Sequence, residues 1–369
     1  MSQRLLIIAA ADDVHAEAVA WGLSTLGHVA TIWTWADFPC QDVMSWTISD
    51  DESAMATINI GEASLKPPFD AVWYRRRSPP TVSTDSHEAD IKVIRNESFT
   101  FLRNLVAFLG NENTRWINKP IAAQQADNKM LQLAVAKKLG FLIPDTIVSN
   151  DFHQVRKFFD SHNQKIIYKA FHPGGWFHQD GSSAVLRTAA VLAEHFEDES
   201  TIKSCPGIFQ ALIDKSYELR ITVIGDMVFP AAIHSQVKGN EIDWRYDGTL
   251  GQPPLEKTTI SMHLAEKCRE LCRALDLVFG CIDLIVMKSG DICFLEINEA
   301  GQFLWKDKID PSFQLLNAFS HFFAYGLGAT PNDRQPLSLE QFHQSEAFSA
   351  YLGRHKNHPA LDQAMFSIE

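Results

Sequence analysis

The segment 281–298 constrains the fold of this chain more than any other, because it has the pattern of a β-hairpin with acidic residues on both strands. If residues 289–290 form a two-residue loop, Asp283 lies opposite Glu296, and Asn298 falls on the same face. Two facing carboxylates repel each other unless a cation lies between them, and these oxygen ligands suit Mg²⁺ with nucleotide phosphates completing its shell. A solvated hairpin face is the alternative.

A second strand alternates between polar and aliphatic residues, with Glu218, Arg220 and Thr222 on its polar face. On a buried sheet, such a face needs a ligand or a protein partner to satisfy its charges. The strand therefore belongs beside a binding site.

Two lysines precede a glycine-rich loop at 173–181. Lys129 opens a predicted helix, and Lys169 ends the predicted strand 165–170. A single lysine is usually a surface residue. Two of them in a chain with a candidate Mg²⁺ site indicate neutralisation of phosphates.

Charge and cysteine usage narrow the class of protein. The 369 residues include 33 Lys and Arg against 45 Asp and Glu, for a net charge of −12, which makes nucleic acid an unfavourable partner. The triplet Arg75, Arg76 and Arg77 is interpreted as carboxylate-steering or structural. Six scattered cysteines indicate a reducing compartment, and no apolar run reaches membrane-span length. We therefore expect a cytoplasmic protein without a membrane or nucleic-acid partner.

Hydrophobic periodicity predicts an α/β chain of several units. It predicts strands at 5–10, 29–33, 71–74, 165–170, 207–213, 218–225, 227–235, 279–287 and 291–298. It predicts helices at 14–26, 85–109, from 127 to 139, and at 188–196, 260–275 and 311–325. We expect the chain to divide into three units, 1–118, 119–213 and 214–328, followed by a helical appendage, 329–369.

Together these residues resemble the ATP-grasp superfamily over roughly residues 1–326. The resemblance implies an N-terminal pre-ATP-grasp α/β domain, followed by an α+β ATP-grasp unit of two subdomains with antiparallel sheets. It implies that Lys129 of DNKMLQLAVAKKLG and Lys169 of IIYKAF contact the nucleotide phosphates. It also implies ATP and Mg²⁺ as cofactors.

The same resemblance assigns the remaining site residues. The hinge strand FQALID would present backbone groups to adenine through Gln210, Ala211, Leu212, Ile213 and Asp214. Ala211 replaces the family's usual acidic residue, which leaves the adenine contact there to the backbone. The ELR strand would supply Glu218 to the nucleotide and Arg220 to catalysis, and CIDLIV with FLEIN would supply the Mg²⁺ ligands Asp283, Glu296 and Asn298.

Within the superfamily, phrases such as VWYRRR, ELRITVIGD, IHSQ, DWRYD and INEAGQFLW are similar to the microviridin-type graspetide ligases, which cross-link side chains of ribosomal precursor peptides. That resemblance implies activation of an Asp or Glu carboxylate as an acyl phosphate, followed by attack of a Ser, Thr or Lys side chain. Arg245 would steady the acyl phosphate, beside Arg220 and Lys169. The implied partner is a precursor peptide or another carboxylate substrate, and a homodimer is left open.

Two other functions remain open. One is a ligase for a small amino acid or a protein tail, as in glutathione-synthase-like and ribosomal-protein glutamate ligase relatives. The other is a nucleotide-binding regulator without turnover, which the complete set of three oxygen ligands disfavours.

Overall fold

A computed structural model describes residues 2–11, 13–50, 52–60, 63–171, 174–177, 183–186, 188–236, 242, 254–328 and 336–355. Among these residues, no helix has the length and apolar character needed to cross a membrane.

The first 117 residues form an α/β unit. Its elements in chain order are β1 (Arg4–Ala9), α1 (Val14–Thr25), β2 (Val29–Thr34), β3 (Val43–Ser49), β4 (Glu52–Ile60), β5 (Ala63–Leu65), β6 (Ala71–Tyr74), α2 (Ile91–Leu105) and β7 (Arg115–Ile117). Strands β2, β1, β6 and β7 form a parallel sheet in that order. The predicted βαβ start is confirmed.

Strands β3, β4 and β5 form a separate antiparallel sheet that the sequence did not predict. Met44, Trp46 and Ile48 alternate with Ser45, Thr47 and Ser49 in β3, so a period-two strand signal was present in the sequence and was missed.

The middle of the chain builds a small antiparallel sheet. Its elements are α3 (Pro120–Ala126), α4 (Lys129–Lys138), β8 (Thr146–Ser149), α5 (Phe152–Ser161), β9 (Ile166–Lys169), β10 (Gly174–Phe177), β11 (Ser183–Leu186), β12 (Ala189–Ala190), α6 (Ser200–Lys203) and β13 (Gly207–Ala211). The sheet order is β12-β9-β13-β8, and β10 pairs with β11 alone. Antiparallel sheets are thus present as expected.

The helix predicted over 188–196 is wrong. Ala189 and Ala190 pair with β9, the Val191 N–H donates to the Ile166 carbonyl oxygen, and only residues 193–196 form a short 3₁₀ turn. Pairing with a neighbouring strand overrides the helix propensity of these alanines.

The last part carries a five-stranded antiparallel sheet. Its elements are β14 (Lys215–Ile224), β15 (Met227–Ile233), β16 (Leu255–Lys257), α7 (Met262–Ala274), β17 (Phe279–Met287), β18 (Ile292–Asn298), α8 (Trp305–Ile309), α9 (Leu315–Tyr325), α10 (Leu339–His343) and α11 (Glu346–His355). The strand order is β16-β15-β14-β17-β18.

Helix α9 joins the two ends of the molecule in one core. It is mostly apolar, and nearly every residue is buried, including Asn317, Ser320 and His321, as expected for a central helix. The Phe319 ring lies 4.5 Å from that of Trp73 on β6 and 5.2 Å from that of Phe279 on β17. The parallel sheet and the five-stranded sheet therefore pack on the same helix.

The described part of the C-terminal tail packs on α1. Phe342 of α10 and Tyr351 of α11 are fully buried. Ser338 caps α10, and the Gln341 side chain accepts from the Ser338 N–H, so the two residues form a capping box.

Candidate active site

The β17–β18 hairpin places Asp283 opposite Glu296, as predicted, but by a different route. The loop has three residues, 288–290, and ends with Gly290 at a φ of +89°, in the left-handed region that favours glycine. A bulge at Leu295 then corrects the register by one residue. The predicted two-residue loop is therefore wrong, although the predicted pairing is confirmed.

Asp283 is held by an arginine from the neighbouring strand. Arg220 lies opposite Asp283 in the β14–β17 ladder, and its Nη1 donates to Asp283 Oδ2 at 2.7 Å. Burial is the largest single effect and disfavours the arginine's charge, but Asp283, Cys281 and Glu296 together raise the pKa of Arg220. Asn298 Nδ2 lies 3.4 Å from the same oxygen, so the amide reaches this carboxylate.

Glu296 is held by a lysine from a helix. Lys129 Nζ lies 2.7 Å from Glu296 Oε2, with both side chains largely buried. Asn128 caps α4 by accepting from the N–H groups of Met130 and Leu131, which fixes where Lys129 begins the helix. Both facing carboxylates thus have a cationic partner from another element.

Lys215 completes the polar face of β14 and was missed in the sequence. A bulge at Ser216 puts Lys215 on the same face as Glu218, whereas strict alternation would place them on opposite faces. Lys215 Nζ donates to Glu218 Oε1, and Ser235 Oγ donates to the same oxygen at 2.9 Å. Burial raises the pKa of Glu218, against the charge of Lys215.

One cleft runs between the small sheet and the five-stranded sheet. The predicted site residues that line it are Lys169, Gln210, Ala211, Leu212, Ile213, Glu218, Asp283 and Glu296. Lys215, Thr188 and Leu295 line it as well, although the sequence did not indicate them. The buried thiol of Cys293 on β18 has a pKa raised to about 11 by burial, and the nearby charge of Lys169 opposes this. Lys169 therefore faces the carboxylate hairpin across the cleft.

Several polar groups of the hinge are already hydrogen-bonded within the protein. Gln210 is buried and its Nε2 donates to Thr146 Oγ1 at 3.0 Å. The N–H groups of Ala211 and Leu212 donate to the carbonyl oxygens of Asp145 and Lys165. Other hinge groups must therefore supply the donors for a ligand.

Some predicted residues do not reach this cleft. Asp214 is exposed and pairs with Lys288 at 2.7 Å, and it does not line the cleft, unlike its neighbours Ile213 and Lys215. Arg245 lies outside the described residues, as do most of the segments 173–181 and 237–254. Within the part of the chain that the structure describes, no three His, Cys, Asp or Glu side chains are grouped as a metal site. Asp283, Glu296 and the Asn298 amide nevertheless offer the hard oxygen donors that Mg²⁺ prefers.

No protein-family model and no curated protein matches the chain. Solved structures do. The macrocyclase MdnC from Microcystis aeruginosa MRC, bound with precursor peptide MdnA, is 25% identical over 87% of this chain and 99% of that chain, with a TM-score of 0.77. A Chryseobacterium gregarium RiPP-associated ATP-grasp ligase, in complex with ADP and a leader and core peptide, is 26% identical. The match covers 90% of this chain and 99% of that chain, with a TM-score of 0.77. The macrocyclase MdnB from Microcystis aeruginosa MRC is 23% identical over 88% of this chain and 100% of that chain, with a TM-score of 0.72.

The fold and the arrangement of the cleft define an enzyme of the ATP-grasp ligase class. Within that class, the resemblance to the graspetide-type ligases is confirmed over nearly the whole chain.

Proposed function

We propose that this ligase uses ATP and Mg²⁺ to activate a side-chain carboxylate of a ribosomal precursor peptide, and joins it to a hydroxyl or amine of that peptide. Two solved ligases of similar sequence and almost equal extent were captured with such peptides, one of them with ADP. Their likeness supports both the substrate class and the nucleotide.

The observation that carries the proposal is the pair of facing carboxylates at one cleft. Asp283 and Glu296 are each matched by a cation from a different element. The hinge residues line the same cleft. Carboxylates at this position, each held by a cation and open to the cleft, are oriented to bind a metal–nucleotide complex.

Each side chain then has a proposed task. Lys129 and Lys169 would neutralise the nucleotide phosphates, Glu218 would accept a hydrogen bond from the nucleotide, and hinge residues 210–213 would hold the adenine. Mg²⁺, when bound by Asp283, Glu296 and Asn298, would supply charge neutralisation at the phosphates. Arg220 would hold Asp283 in place and stabilise charge near the reacting groups.

The reaction needs no protein nucleophile. A substrate carboxylate oxygen attacks the γ-phosphorus and ADP leaves, which gives an acyl phosphate. The acceptor oxygen or nitrogen then attacks the acyl carbon, phosphate leaves, and the acceptor proton passes to phosphate or solvent. The protein contributes positioning and charge stabilisation, and Arg245 is proposed to steady the acyl phosphate.

We also propose a domain organisation, a cellular location and an oligomeric state for the protein. The division into 1–118, 119–213, 214–328 and 329–369 is proposed as the domain organisation. Six free cysteines support a cytoplasmic location. A homodimer is also a proposal. A ligase for a small amino acid or protein tail is the second candidate, because the cleft chemistry would be the same.

The test uses an acidic peptide that contains Ser, Thr or Lys, encoded beside the gene, incubated with ATP and Mg²⁺. We expect ADP release to increase with the peptide, and the product mass to fall by one water for each bond formed. Hydroxylamine should intercept the activated carboxylate as a hydroxamate. Stimulation by free amino acids, with none by the peptide, would favour the second candidate.

A matched pair of variants ties the activity to the hairpin. Asp283→Asn should reduce ligation by orders of magnitude, since it removes a charge at the proposed metal site. Asp291→Asn makes the same change at the exposed end of the hairpin and should leave turnover near that of the wild type. Equal losses in both variants would contradict the proposed role of Asp283.

A further inference from the structure

The three consecutive arginines after β6 have two different roles. Arg75 is buried, and its Nε lies 2.7 Å from Asp13 Oδ2, in a pair whose side chains are 0% and 4% exposed. Its Nη1 donates to the Ala300 carbonyl oxygen at 3.2 Å. Arg75 therefore ties the parallel sheet to the segment that follows Asn298. Arg76 and Arg77, in contrast, are exposed.

These arginines stand at a topological switch point of the parallel sheet. Strands β1 and β6 are neighbours, but the chain leaves β1 toward β2 and leaves β6 toward β7. In open parallel sheets, the crevice beyond the carboxyl ends of two such strands is the usual place for a ligand. Asp13 follows β1 and Arg75 follows β6, so their ion pair spans this crevice.

Two buried polar atoms at the crevice have no hydrogen-bond partner among the described residues. They are Nη2 of Arg75 and Nδ1 of His15. Buried polar groups are almost always satisfied, so these two atoms show that the polar groups beneath the crevice are incompletely paired within the protein. The His15 pKa is lowered to about 3 by burial, and next by the charge of Arg75, so the ring is neutral.

The Arg77 side chain is held in place by Tyr74 at the outer edge of the crevice. Its guanidinium stacks over the Tyr74 ring at 4.4 Å, and Nη1 donates to the Tyr74 hydroxyl at 2.6 Å. The neighbouring Arg75 donates to the Ala300 carbonyl oxygen, two residues after Asn298, so the arginines lie near the end of β18. The outer edge of the crevice therefore lies beside the end of β18.

We propose that Arg76 and Arg77 form a carboxylate-binding subsite at this switch point, which holds an acidic segment of the peptide substrate beside Asp283 and Glu296. The inference rests on the proposed function and deepens it. The chain has a net charge of −12, so an acidic peptide needs a local cationic surface to approach. Planar guanidinium groups bind carboxylates in a bidentate manner, which also fixes the direction of the peptide.

The experiment measures binding of a fluorescently labelled acidic peptide in the presence of Mg²⁺ and a non-hydrolysable ATP analogue. The double variant Arg76→Glu/Arg77→Glu should weaken binding by about tenfold or more at low salt. The matched control is Lys137→Glu/Lys138→Glu, which reverses two adjacent exposed charges at the end of α4. It should bind the peptide like the wild type.

Two further measurements separate recognition from net charge and from folding. Arg76→Lys/Arg77→Lys keeps the charge and loses the bidentate geometry, so its affinity should lie between those of the wild type and the reversed variant. Nucleotide affinity is measured on the same samples. A parallel loss of nucleotide binding in the reversed variant would overturn the inference, since the substitutions would then act through the fold.

The outcomes distinguish this subsite from the proposed function. If the wild type binds the peptide and the reversed variant binds it equally well, the subsite is refuted and the peptide function stands. If the wild type binds free glutamate instead of peptide, and the reversal abolishes that binding, the subsite stands and the peptide function is refuted. If the wild type binds neither, both are refuted.

Discussion

At the scale of single residues, the chemistry of this protein depends on charges held out of water. Lys306 is the extreme case, because it is 0% exposed and lies on the polar face of β14, behind the cleft. Its Nζ donates to Thr222 Oγ1 at 2.7 Å and to the Phe229 carbonyl oxygen at 3.2 Å. Thr222 therefore finds a protein partner, which the sequence could not indicate because Lys306 lies 84 residues away.

Lys306→Met is expected to stabilise the protein near neutral pH. Burial lowers the pKa of Lys306 from 10.5 to about 7. The folded state therefore binds fewer protons than the unfolded state between these values, so this residue makes stability rise with pH across that window. Its penalty is fully present below about pH 7, and Met removes it while filling similar volume. Urea unfolding from pH 7 to 9.5 should show the advantage of Met shrinking as the pH rises.

The control for this prediction is Lys308→Met, which changes an exposed lysine in the same helix. Its effect on stability should not vary with pH over this range. A gap between wild type and Lys306→Met that stays constant with pH would mean that Lys306 remains charged throughout.

At the scale of secondary-structure elements, the sequence predicted the positions of the strands better than the loops and bulges that connect or interrupt them. Apolar alternation located β14 and the β17–β18 hairpin because both have one fully buried face. The bulges at Ser216 and Leu295 have no signature in that pattern, so Lys215 and the three-residue loop were missed. The pairing of Asp283 with Glu296 was still correct, because the Leu295 bulge cancels the extra loop residue.

Helix α4 covers the edge strand β18 through one glutamine. Gln132 Nε2 donates to the Ile297 carbonyl oxygen at 2.9 Å, and the Ile297 N–H donates to Gln132 Oε1 at 3.0 Å. The side chain thus replaces a neighbouring strand at the edge of the sheet. Because Lys129 lies one helical turn away, the same contact positions it against Glu296.

Gln132→Leu should therefore weaken both the fold and nucleotide binding. Leucine fills a similar volume but leaves the buried Ile297 N–H and carbonyl groups unpaired, at a cost of about 1–3 kcal/mol for each group. Lys129 should also lose its fixed position, so ADP affinity should fall. Urea unfolding and calorimetry with Mg²⁺ and ADP measure the two effects. Gln125→Leu, an exposed change on α3, should alter neither, and equal behaviour of the two variants would refute this role of Gln132.

At the scale of the whole molecule, the parallel sheet and the five-stranded sheet are joined by a shared core and by polar side chains, among them Arg75 and Asn118. Asn118, directly after β7, is 1% exposed. Its Nδ2 donates to the carbonyl oxygens of Phe279 at 2.8 Å and Glu299 at 3.0 Å. Its Oδ1 accepts from the N–H groups of Val278 and Phe279. The sequence predicted only a boundary between units after Asn118, because such long-range contacts leave no local pattern.

Asn118→Leu is expected to destabilise the protein by several kcal/mol and to impair ligation. Leucine has nearly the same volume but can pair with none of the four backbone groups, so each would remain buried and unsatisfied. Two of these groups belong to Phe279 at the start of β17, and one belongs to Glu299 beside Asn298. The proposed metal ligands should therefore be held less firmly in position. Both the ligation activity per folded molecule and the stability should decrease. Asn96→Leu on the exposed side of α2 is the matched control and should shift stability by less than about 0.5 kcal/mol. If Asn118→Leu unfolds at the same urea concentration as Asn96→Leu, the hydrogen bonds of Asn118 do not hold the two sheets together.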